Sequence, residues 1–193
     1  TTDRLQAVVA GTVITTSYGA ILRENDVLTV TQSGAILANA RDVADGIWLS
    51  GDNGTVSIAG TVVAEDIGIY VTGDNQTIDI TATGFLRAGT NGFRDDGFKA
   101  SSPLQIEGTG SVVTNFGTII ADLNPFTGEK VAFTNGTTLG FEALGVDLDA
   151  VLTAEMINGG SIVGNVYFGA GDDRYIAKGD GFVDGVIDMG RDD

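Results

Sequence analysis

The chain has 193 residues and a formal net charge of −16, with 29 Gly, two Pro and neither Cys nor His. Its 42 % hydrophobic content supplies a core that a disordered acidic tail lacks, and no apolar run approaches the ~18 residues of a membrane span. Nucleic-acid binding wants clustered Lys and Arg, disulfides and thiolate chemistry want Cys, and the common triads and zinc sites want His, so these classes are set aside.

From the N-terminus onward a short unit recurs: Gly, a small or hydroxyl residue, then two mostly apolar residues. It reads Gly11-Thr-Val-Ile, Gly34-Ala-Ile-Leu, Gly60-Thr-Val-Val, Gly84-Phe-Leu-Arg and Gly110-Ser-Val-Val, then Gly136-Thr-Thr-Leu, Gly160-Ser-Ile-Val and Gly185-Val-Ile-Asp. The intervals are 23, 26, 24, 26, 26, 24 and 25 residues, a period that marks a repeat architecture. A second register supports it. Gly46-Ile-Trp-Leu-Ser-Gly-Asp-Asn returns 22 residues later as Gly68-Ile-Tyr-Val-Thr-Gly-Asp-Asn, and each copy runs into an alternating segment, Thr55-Val-Ser-Ile and Thr77-Ile-Asp-Ile. Alternation of Val/Ile with Thr/Ser/Asp is the pattern of a strand with one buried face.

Short strands at this period predict an all-β parallel β-helix (a β-solenoid) of about seven or eight coils. Coils stacked at ~4.8 Å make a rod roughly 38 Å long. Right-handed winding is the commoner choice for coils of variable length. Val56, Ile58, Ile78, Ile80, Leu104 and Ile106 are the expected inward columns. An antiparallel sandwich ranks second, because it gives no reason for a register-keeping repeat. Residues 1–193 read as one domain with two interruptions: a polar loop insertion at 89–103, and an irregular stretch at 144–156. In the latter, Leu144, Leu148, Val151, Leu152 and Met156 share one face of a possible short helix.

Stacking of the two Gly-Asp-Asn copies places Asn53 over Asn75, as a possible amide ladder, and Asp52 over Asp74. The same register points Ile47, Leu49, Ile69 and Val71 inward and leaves Trp48 and Tyr70 outward. This is a candidate stacking face for a glycan or a cell-surface partner, with Lys99 as its continuation if Gly97-Phe-Lys-Ala shares the register. Asn-x-Thr triplets at Asn53, Asn75 and Asn135 are chance in so Asn- and Thr-rich a chain. The enzyme reading is a polysaccharide lyase or glycoside hydrolase. It uses Asp52 and Asp74, one strand spacing apart, as the carboxylate pair, with Asp42, Asp45 and Asp66 lining an acidic groove. Arg23, Arg41, Arg87 and Lys99 are few cations with which to hold an acidic polymer, and the loop cluster Arg94, Asp95, Asp96 and Lys99 is a second place to look. No phosphate-cradling or nucleophile-activating motif is present. Catalysis therefore ranks behind a scaffold.

Near the C-terminus, Phe168-Gly-Ala-Gly-Asp-Asp-Arg-Tyr-Ile resembles the nonapeptide of the repeat-in-toxin β-roll proteins, matching at Gly169, Gly171, Asp173 and Tyr175 and departing at Phe168. The resemblance implies Ca²⁺ held between turns by backbone carbonyls at Gly169 and Gly171 and by the Asp173 carboxylate. One copy supplies about half of the six to eight oxygens that the ion takes. The wider style is similar to the passenger regions of bacterial autotransporters and other large secreted β-solenoid proteins. It is carried by Asn115-Phe-Gly-Thr-Ile and by Asn158-Gly-Gly-Ser-Ile-Val-Gly-Asn-Val-Tyr-Phe-Gly-Ala-Gly-Asp-Asp. That resemblance, the absent Cys and the start on Thr1 rather than Met lead to the expectation of a mature chain or fragment. The parent is expected to be a secreted or cell-surface bacterial protein, acting structurally or as an adhesin, with no membrane insertion. The open ends of an uncapped solenoid suggest self-association.

Overall fold

The computed structural model describes residues 4–39, 44–89, 102–123, 128–135 and 152–190. Within them are 21 short strands in three parallel seven-stranded sheets, so that the chain visits each sheet once per coil for seven coils. The first sheet holds β1 (Gln6–Val9), β4 (Val27–Val30), β7 (Thr55–Ile58), β10 (Thr77–Ile80), β13 (Ser111–Asn115), β16 (Ala154–Asn158) and β19 (Arg174–Ala177). The second holds β2 (Thr12–Thr15), β5 (Ala35–Ala38), β8 (Thr61–Ala64), β11 (Phe85–Ala88), β14 (Thr118–Ala121), β17 (Ser161–Val163) and β20 (Phe182–Asp184). The third holds β3 (Ala20–Leu22), β6 (Ile47–Leu49), β9 (Ile69–Val71), β12 (Leu104–Ile106), β15 (Val131–Asn135), β18 (Asn165–Tyr167) and β21 (Ile187–Asp188). This is a parallel β-helix.

Each strand is short because a coil must turn three times in about 25 residues. Alternation within a strand sends every second side chain to the axis. The inward positions of the first sheet form columns such as Leu28–Val56–Ile78–Val113–Met156, and the predicted Val56, Ile58, Ile78, Ile80, Leu104 and Ile106 are all fully buried. One continuous core cluster runs through the coils. A smaller buried cluster of Ala38, Ala44, Ala64 and Ala88 gathers where β5, β8 and β11 end.

Two corners are set by residue type. Just before the second sheet a glycine recurs at 11, 34, 60, 84, 117 and 160, each offering its carbonyl to the strand of the following coil: Ala35, Thr61, Phe85, Thr118, Ser161 and Phe182 donate in turn. A Cβ on Gly60 would overlap the carbonyl oxygens of Gly34 and Thr31, and one on Gly117 or Gly160 would overlap those of Gly84 or Gly117. Before the first sheet, Asn25, Asn53 and Asn75 take left-handed backbone angles (φ 61°, 57° and 56°), and Gly110 continues their column at φ 71°. Asn and Gly tolerate this region where a branched side chain does not.

The repeat read from sequence is therefore right for its first four glycines and then slips. Gly110-Ser-Val-Val leads into β13 of the first sheet; the true counterpart of Gly84 is Gly117, 33 residues on. Gly160 falls back into register, Gly185 precedes β21 of the third sheet, and Gly136 lies outside the described residues. The slip arises in the coil that carries the predicted 89–103 insertion. Residues 90–101 of that insertion are outside the described residues, whereas Ser102 and Pro103 already belong to the coil, accepting from the N–H groups of Gly68 and Ile69. The helix considered for 144–156 is corrected over its end: Ala154–Asn158 is a strand paired with β13, and Met156 is buried in the first-sheet column. Residues 136–151 lie outside the described residues.

Candidate functional site

The most distinctive outward feature is an aromatic ladder along the third sheet. In β6 and β9 the flanking Ile47, Leu49, Ile69 and Val71 are fully buried, which leaves Trp48 and Tyr70 on the outer face in direct register. Their rings are nearly parallel, with an interplanar angle of 20° and centroids 6.3 Å apart. Tyr18, which enters β3 from the corner, adds a third ring 5.1 Å from Trp48. Both spacings lie in the attractive range for offset aromatic pairs.

Polar ends are tied to the next coil. Trp48 Nε1 donates to Thr72 Oγ1 at 3.0 Å, and Tyr70 Oη donates to Glu107 Oε2 at 2.7 Å. Glu107 in turn accepts from Gln105 Nε2 at 2.7 Å. Burial, reinforced by the bond to the Glu107 carboxylate and its charge, raises the Tyr70 phenol well above its ordinary pKa, so it stays neutral at any physiological pH. The face thus offers three half-buried or exposed rings beside a fixed, exposed carboxylate and hydroxyls, with the Gln105 amide buried behind Glu107. That combination suits apolar C–H faces and hydroxyl groups presented together.

The expected continuation with Lys99 falls on residues outside those described. The residue that follows Tyr70 in the column is Gln105, and then Thr134 and Tyr167. Arg41, Asp42, Arg94, Asp95 and Asp96 also lie outside the described residues. Tyr18 and Glu107 escaped the sequence reading. In the aligned register the first coil has Ile21 where the next two have Trp48 and Tyr70, so nothing in the Gly-x-aromatic pattern points to a tyrosine one residue before Gly19.

Asp52 and Asp74 stack as expected, and each is used by its neighbour. Asp52 Oδ1 accepts from the Asp74 N–H and Asp74 Oδ1 from the Thr109 N–H, both at 2.9 Å. Backbone N–H groups of the following coil thereby meet one oxygen of each stacked carboxylate. Asn53 and Asn75 are exposed at their left-handed corner positions. The buried amide ladder instead links Asn115 to Asn158, with Asn115 Nδ2 donating to Asn158 Oδ1 at 2.9 Å. Asp45 and Asp66 are buried at the entry to the third sheet, and Asp45 Oδ1 accepts from the Ile67 N–H. Arg87 is committed to a bidentate pair with Asp122.

At the nonapeptide-like turn, Gly171 adopts φ 130° where a Cβ would press on the Leu152 carbonyl. Asp173 Oδ1 accepts from the Ala154 N–H at 2.7 Å and from Asn135 Nδ2 at 2.8 Å. Asp173 occupies the ladder position held at the other end of the solenoid by Asp26, whose Oδ1 likewise accepts from the Leu5 N–H of the preceding coil. Phe168, where the nonapeptide pattern breaks, is buried against Phe133 with ring centroids 5.0 Å apart. Among the described residues no three acidic side chains gather as a cation site.

With this geometry in hand, comparison with protein-family models, with curated proteins and with solved structures returns no match. The class that the coordinates define is the parallel β-helix, and the functional reading rests on the molecule's own surfaces.

Proposed function

We propose that this chain is a non-catalytic structural and adhesive segment of a secreted or cell-surface bacterial protein, and that the Tyr18–Trp48–Tyr70 edge is its contact for a glycan. The observation that carries the reading is the ladder itself: three aromatic rings meet on the outer face in three consecutive coils. Repeated coils give a stiff rod in which each unit is held by its neighbours, a property useful in a stalk and unnecessary for a pocket enzyme. The net charge of −16 disfavours polyanionic sugars and leaves neutral or cationic glycans as the ligand class. Against the lyase or hydrolase alternative, the Oδ1 atoms of Asp52 and Asp74 already hold backbone N–H groups.

Trp48→Ala is the direct test. The ring is half-buried on an outer face, so its loss leaves the circular dichroism of the coils intact and costs about 1 kcal/mol of stability. On an array of neutral and amino-sugar glycans, binding by the unaltered chain is expected to fall at least tenfold in the variant, as for a central aromatic contact. Equal binding by both proteins, or none by the unaltered chain, refutes the assignment.

A further inference from the structure

We propose that the aromatic ladder selects amino sugars, the Glu107 carboxylate receiving the sugar ammonium while the C–H face of the sugar lies on Trp48 and Tyr70. This selectivity rests on the glycan reading of the same edge and narrows its ligand class to sugars with a free amine. Two neighbouring coils supply the comparison that carries it.

Trp48 and Tyr70 are register partners, and each ring is tethered in the same way. Its polar end reaches the residue just past the third-sheet strand of the following coil. For Trp48 that residue is Thr72, after β9, and Nε1 donates to Oγ1 at 3.0 Å. For Tyr70 it is Glu107, after β12, and Oη donates to Oε2 at 2.7 Å. Because β9 and β12 pair in register, Thr72 and Glu107 are successive members of one column, and both are exposed. Each ring donor needs only an acceptor, and the Thr72 hydroxyl serves as a neutral one. Holding the ring therefore does not call for the negative charge at Glu107.

That carboxylate is fixed in place and still has room to accept. Oε2 accepts from Tyr70 and Oε1 from Gln105 Nε2 at 2.7 Å, while the Glu107 N–H donates to the Val71 carbonyl and anchors the backbone. Two accepted bonds leave about half of the roughly four lone-pair sites of a carboxylate open. Among the described residues the ion pairs are Arg87 with Asp122 and Arg174 with Glu155, and no cation pairs with Glu107. Electrostatics then choose among sugars. A neutral sugar laid over this edge strips water from an ionised carboxylate and returns no charge, whereas an ammonium replaces the lost solvation with a charge-assisted bond. Aromatic rings attract a cation as well. Asp45 adds negative potential at Tyr70, and the net charge of −16 repels acidic sugars.

Isothermal titration calorimetry in mildly acidic buffer, where the sugar amines are protonated, tests this. The probes are a glucosamine oligomer, its N-acetylated counterpart and the glucose oligomer of the same length and linkage. The unaltered chain is expected to bind the glucosamine oligomer at least about tenfold more tightly than either neutral one, the effect of one charge-assisted bond. Glu107→Gln keeps an oxygen for Tyr70 and removes only the charge, and Glu107→Thr copies the neighbouring coil. With unchanged circular dichroism, each is expected to bring the preference to within about twofold. Asp180→Asn removes the same charge from an exposed position in the last coil and is expected to leave the preference intact. Equal affinity for all the oligomers, a preference that survives Glu107→Gln, or one that falls equally in Asp180→Asn overturns the assignment to Glu107 while the glycan reading stands. Binding of none of them, or binding indifferent to Trp48→Ala, overturns both.

Discussion

Gly60→Ala is expected to destabilise the chain by about 3 kcal/mol or more, a fall of roughly 6–12 °C in melting temperature for a domain of this size. The added Cβ would run into two backbone carbonyls, those of Gly34 and Thr31, and neither can swing aside as a side chain can. The coil must lift, and the bonds from Thr61 to Gly34 and from Phe85 to Gly60 lengthen together. The same substitution at Gly11, measured at low protein concentration, is expected to be neutral or stabilising by about 0.5 kcal/mol, because it meets open space and restricts the unfolded chain. Thermal denaturation of the pair isolates the effect of coil stacking from that of glycine as a residue type. Equal effects at the two positions would show that the carbonyl contact is not what requires glycine.

Asn158→Ala is expected to cost a similar amount, about 3 kcal/mol. Asn158 is fully buried, and its Oδ1 accepts from Asn115 Nδ2 and the Gly160 N–H while its Nδ2 donates to Tyr175 Oη and the Phe182 carbonyl. Truncation strands several of these groups in a dry core, each at roughly 1–3 kcal/mol before relaxation. Phe182 and Tyr175 belong to the last coil, so the loss is expected to loosen that coil first. Hydrogen exchange would show β19 and β20 deprotected ahead of β7 and β10. Uniform loss of protection would contradict a nearest-neighbour account of stability.

The fold was legible because burial on one face of a short parallel strand leaves a two-residue alternation, and because the close approach of coils leaves glycines at a fixed interval. Those two marks found the inward columns from Val56 to Ile106 and the stacking of the two Gly-Asp-Asn turns. They failed where the chain reuses one local pattern for two jobs. Gly110-Ser-Val-Val reads like Gly60-Thr-Val-Val, yet Gly110 satisfies a left-handed corner before the first sheet, whereas Gly60 clears a carbonyl before the second. Local sequence carries both demands in the same letters, and only pairing separates them. The amide ladder was expected at Asn53 and Asn75, where Asn serves its backbone conformation; it forms at Asn115 and Asn158, where the aliphatic column of Ile58 and Ile80 turns polar. In the site, Trp48 and Tyr70 followed from alternation. Tyr18 and Glu107 did not, because ring contacts and bonds between neighbouring coils depend on register rather than on sequence spacing.

The parallel pairing itself is open to a direct measurement, helped by the absence of native cysteine. Thr29, Ser57 and Asp79 occupy one outward column of the first sheet, each the register partner of the next. Cysteines at 29 and 57, and separately at 57 and 79, therefore sit at Cα separations of roughly 5 Å, within the range a disulfide spans. Mild oxidation is predicted to cross-link both double variants rapidly within single chains, as read by mass spectrometry after proteolysis. Thiols that stay free in both variants of the folded protein would contradict the coil-on-coil arrangement.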